Sequence, residues 1–167
     1  MTIPPTIAHA VQQSQEWLKE LREKAGLVDE AEALSVLREV LHQLRDRLTV
    51  EEGVQLAAQL PVIFRGIYFE GWVPGHVPDK SVKTKQQFLD KFTIDMLPRR
   101  LPPETMVTAV FELLAHHLDP GEIADVIARP DGNATLGFPF GTVPPDHRAV
   151  RIVEVFFKKH FAMGGCT

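Results

Sequence analysis

A hydrophobic pattern that occurs twice constrains this chain more than any other feature. Leu37, Val40, Leu41, Leu44 and Leu48 match Val107, Val110, Phe111, Leu114 and Leu118 at a spacing of 70. Trp17-Leu18 matches Phe88-Leu89 at a spacing of 71. Thr49-x-x-Glu52 is mirrored by Asp119-x-x-Glu122, and Leu60-Pro61 is echoed near Arg129-Pro130. Each set steps by threes and fours, the period of one helix face, so each half reads as a three-helix unit. Such a unit buries its apolar faces poorly alone, and the two are expected to pack together. The expected fold is all-α: two tandem three-helix repeats packed as one bundle, plus a C-terminal helix. The division is one domain over 1–167, with repeat one at 5–72, a linker at 73–83, repeat two at 84–130, and a loop and C-terminal helix at 131–162.

The local signals agree with this division. Pro4 and Pro5 suit the start of a helix over 5–25, with Ile7, Val11, Trp17, Leu18 and Leu21 as its apolar face and Gly26 as its stop. A second helix over 30–48 carries a stripe of Leu34, Leu37, Leu41, Leu44 and Leu48. Arg38, Glu39, Arg45, Asp46 and Arg47 lie off that stripe and read as a solvated face. Thr49-x-x-Glu52 is a capping box, opening a helix that buries Val54, Leu56 and Ala57. Pro61 either kinks that helix or starts another carrying Ile63, Phe64 and Ile67. Thr84-x-x-Gln87 opens the second half, Pro98 stops its first helix, and Pro102-Pro103 precede its second. Asp119-Pro120-Gly121-Glu122 starts a further helix. Residues 130–145 read as a loop, and 147–162 as a helix apolar on more than one face.

Composition excludes several classes of function. The chain has 167 residues, a net charge of −4 and 24% charged residues. It lacks the clustered Lys and Arg of a nucleic-acid surface, so no nucleic-acid partner is expected. No apolar run approaches the roughly 20 residues of a membrane span. One cysteine, Cys166, precludes an intrachain disulfide and fits a reducing compartment. With no basic region and apolar run at the N-terminus, the expected location is cytoplasmic. Gly-rich phosphate loops, Gly-x-Ser-x-Gly and His-Glu-x-x-His are all missing, so no catalytic residue and no cofactor is assigned.

The stretch from Leu60 to Trp72 holds the only tyrosine and one of two tryptophans, and its Pro61–Trp72 part has no counterpart in the second half. Arg65, Tyr68, Phe69, Glu70 and Trp72 are the candidate binding residues. The rings offer rigid area with polar tips, and the charged pair could orient a ligand. Packing across the two repeats is the competing role. Val153, Phe156, Phe157 and Phe161 are the candidate interface on the 147–162 helix. Glu39-x-x-His42 and Glu112 with His116 and His117 raise a di-metal site of the kind helical bundles hold. Only one spacing fits and the bridging glutamates are not evident, so no metal is assigned.

Four runs carry a family resemblance: Trp17-Leu18-Lys19-Glu20-Leu21, Arg38 to Leu48, Ala57-Ala58-Gln59-Leu60-Pro61, and Arg65-Gly66-Ile67-Tyr68-Phe69-Glu70-Gly71-Trp72. Together they resemble the bacterial family called domain of unknown function 2267, over roughly residues 10–130. Phe88-Leu89 and Gly121-Glu122 before residues 124–126 resemble that family's second repeat. Ala128-Arg129-Pro130 departs from the Leu-Pro ending expected there. The resemblance implies an all-helical repeat protein and transfers no activity. The leading expectation is a non-enzymatic module for self-association or a protein partner. A small-molecule or cofactor-binding sensor, with a pocket between repeats near Tyr68 and Trp72, is the alternative.

Overall fold

The computed structural model describes residues 2–95 and 101–118. These contain six α-helices and no strand. The chain divides into two compact units after Pro78, within the segment read as linker. The first unit holds α1 (Pro5–Ala25), α2 (Glu30–Arg47), α3 (Val50–Gln59) and α4 (Val62–Tyr68), then a single 3-10 turn at Pro74–His76. The described part of the second holds α5 (Lys85–Asp95) and α6 (Pro103–His117). None of these helices is long and apolar enough to cross a membrane.

Each helix of the first unit begins and ends where its chemistry dictates. Pro5 opens α1, and Gly26 closes it at φ 66°, a left-handed turn that costs a residue with a Cβ about 1–2 kcal/mol. The Asp29 carboxylate accepts from the Glu32 N–H at 2.8 Å and caps α2. The Thr49–Glu52 capping box forms in both directions, at 3.3 and 3.0 Å. Pro61 does not kink α3; it starts a new helix, α4, as its N-cap. In this unit α1 packs on α2, both pack on α4, and α4 also meets α3. Leu37, Leu41, Leu44 and Leu48 of the leucine stripe are buried, with Leu34 half-buried at its edge.

Several buried faces differ from the expected ones. In α1 the buried positions are Ala10, Ser14, Trp17, Leu21 and Ala25, while Ile7 and Val11 stay exposed. Val11 is rotated by about 100° from Ala10, and Ile7 lies a turn before the buried stripe begins. In α3 the buried residues are Gly53, Leu56 and Ala57, and Val54 is exposed. Arg45, expected among solvated charges, is only 5% exposed.

In the second unit Phe88, Leu89 and Phe92 of α5 are buried, as are Met106, Val107, Val110, Phe111, Leu113 and Leu114 of α6. The two helices pack together, with a Lys85–Glu104 ion pair of 2.6 Å between them. Thr84 caps α5 by accepting from the Gln87 N–H at 3.1 Å. The Gln87 side chain returns to the Lys83 N–H at 2.8 Å, one residue earlier than a capping box requires. The helices expected after Asp119 and at 147–162, and the loop at 130–145, lie outside the described residues.

Candidate functional site

The aromatic stretch is a short helix whose ends are held by cationic side chains. α4 has only seven residues, too few to be stable on propensity alone. Its C-terminal carbonyls point at α2. Arg45 Nη1 donates to Tyr68 O at 2.6 Å and to Glu70 O at 2.8 Å, and its Nε donates to Asp46 Oδ1 at 2.8 Å. His42 Nε2 lies 2.7 Å from Ile67 O, so that nitrogen carries the proton and donates. A helix C-terminus carries partial negative charge and unsatisfied carbonyls, which a guanidinium and an imidazole N–H answer together. Asp46, beside Arg45 and half-exposed, supplies the counter-charge that a buried guanidinium needs.

Arg65 performs the same task for α3. Its Nε donates to Ala57 O at 3.0 Å, and its Nη2 to Ala58 O and Leu60 O, each at 3.2 Å. The α3–α4 corner at Pro61 is therefore bridged by a side chain from α4, and the far end of α4 by two side chains from α2. Glu70 adds an ion pair with Arg38 at 3.3 Å, both side chains being about half exposed. Such a pair contributes under about 1 kcal/mol, far less than the buried guanidinium. Gly71 takes φ 68°, and this left-handed residue turns the chain from Glu70 into Trp72.

The rings form a graded series from core to surface. Phe64 packs at a tilt against Trp17, with centroids 5.6 Å apart, and both are buried. Tyr68 is fully buried and meets Phe69 edge-on at 5.2 Å. Phe69 meets Trp72 at 5.1 Å, and these last two are half-buried. The Tyr68 hydroxyl lies over α3, 3.3 Å from where a Cβ on Gly53 would stand. It is buried with no hydrogen-bond partner among the described residues. Burial pushes the phenol well above the ordinary tyrosine range. The Arg45 charge draws it partly back, and Asp46 adds to the rise.

Of the five candidate residues, Arg65 directs its guanidinium at backbone carbonyls and Tyr68 is inside. Glu70 is exposed and ion-paired, while Phe69 and Trp72 present half-buried edges beside exposed Val73. Arg45, which holds this segment, is not among the expected site residues, and His42 is raised only as part of the Glu39-x-x-His42 spacing. Val153, Phe156, Phe157 and Phe161 lie outside the described residues. Glu39 accepts from Gln43 Nε2 at 2.9 Å, while the neighbouring His42 is engaged with α4. His116 and His117 are exposed at the end of α6, their rings 4.6 Å apart.

Residues 14–131 match the family model described as Uncharacterized conserved protein (DUF2267). The chain belongs to that family. The DUF2267 match takes in α2, α3, α4 and the turn to Trp72, so the clamp formed by Arg45 and His42 of α2 on the carbonyls of residues 67–70 lies inside it. No curated protein matches the sequence.

Proposed function

We propose that this DUF2267 protein is a non-enzymatic interaction module, self-associating or binding a protein partner, with its contact centred on Phe69 and Trp72. One observation carries the reading: the segment that presents these rings has its backbone fixed by Arg45, His42 and Arg65. Rigid aromatic edges on a pre-ordered backbone lose little entropy on docking, which is the character of interface hot spots. In this reading Arg65 and Tyr68 position the contact, and Glu70 flanks it. Native mass spectrometry and sedimentation of wild type and Trp72→Ala test it. The expected result is an assembly or captured partner for wild type, lost in Trp72→Ala at unchanged helix content. The same assembly state in both proteins, or a wild type that binds nothing, overturns it.

The alternative, a small-molecule sensor, has one observation in its favour. A buried hydroxyl without a partner costs roughly 1–3 kcal/mol, and a small polar molecule beside Tyr68 would recover it. Retained organic mass in the same native spectrum, absent from Tyr68→Phe, would favour it over the first reading.

A further inference from the structure

We draw no further inference here: the strongest candidate, the patch of exposed Ile7 and Val11 on the first turns of α1 with Ile3 just before the helix, is an unpartnered apolar face, and nothing in the structure shows what covers it.

Discussion

Replacing Arg45 by Met tests the clamp directly, because Met keeps the stem volume and removes every donor. Arg45 makes two bonds to the carbonyls of Tyr68 and Glu70 and one to Asp46. Hydrogen bonds involving a charged group contribute about 1.5–3 kcal/mol each when their partners are buried. Asp46 is half-exposed and regains water on losing Arg45, so its bond adds little. The Tyr68 carbonyl belongs to a fully buried residue and regains none. The lost Tyr68 bond therefore costs about 1.5–3 kcal/mol and the bond to exposed Glu70 adds less, against a typical total stability of about 5–15 kcal/mol. Urea unfolding followed by circular dichroism reads this as a fall in midpoint at unchanged slope. Amide hydrogen exchange should show the loss concentrated at residues 65–72. Arg45→Lys should fall between wild type and Met, since an ammonium restores charge but not the fork that reaches both carbonyls and Asp46. A cost for Arg45→Met under about 1 kcal/mol, with no local gain in exchange, would refute the clamp.

Three further outcomes follow from the same region and from the second unit. Tyr68 is the only tyrosine, so near-ultraviolet absorbance reports its ionisation alone. With its folded pKa raised, stability is complete below about pH 10 and falls by up to about 1.4 kcal/mol per pH unit above it. Tyrosinate should therefore appear only as the helix signal collapses, and a reversible titration near pH 10 in folded protein would contradict the burial. Gly53→Ala should gain up to about 1 kcal/mol of helix propensity in a Tyr68→Phe background and less in wild type, where the new Cβ meets the hydroxyl. Equal effects in both backgrounds, measured by chemical unfolding, would remove the contact. The Asp79 carboxyl is held below its ordinary value, first by the Ser81 hydroxyl and N–H, against an opposing effect of burial, and then by Lys91. Its contribution is therefore present at neutral pH and lost as pH falls through the folded value. Ser81→Ala should move the Asp79 titration upward by NMR, and an unmoved titration would count against that bond.

Helix ends were legible in the sequence because they depend on neighbours a few residues apart. Pro5 and Gly26 bound α1, and Thr49 with Glu52 announced the start of α3. Which face a helix buries was less legible, because that depends on what packs against it. Gly53 is buried and Val54 exposed since Tyr68, 15 positions away, covers that side of α3. Arg45 lies off the leucine stripe among other charges, a position that reads as a solvated face with local ion pairs. Its partners are carbonyls of Tyr68 and Glu70, and backbone acceptors carry no mark in the sequence. The aromatic stretch itself stood out by composition, whereas the groups that hold it did not.

The pattern shared by α2 and α6 separates the common scaffold from the part particular to the first unit. At the spacing of 70, Val36, Leu37, Val40, Leu41, Leu44 and Leu48 are buried, and so are Met106, Val107, Val110, Phe111, Leu114 and Leu118. Among the described residues the clamp does not recur with that core. His42 corresponds to Glu112 and Arg45 to Ala115, neither of which can donate to a carbonyl as an ionised carboxylate or a methyl group. The second half also lacks a counterpart of the Pro61–Trp72 stretch. In sequence, the donors and the segment they hold thus occur together in the first half and have no match at the corresponding positions of the second, while the apolar positions repeat. A buried arginine contributes little to a core that leucines already fill, and it is costly without its acceptors. Its presence at position 45 is accounted for by the turn after α4, whose Tyr68 and Glu70 carbonyls it closes.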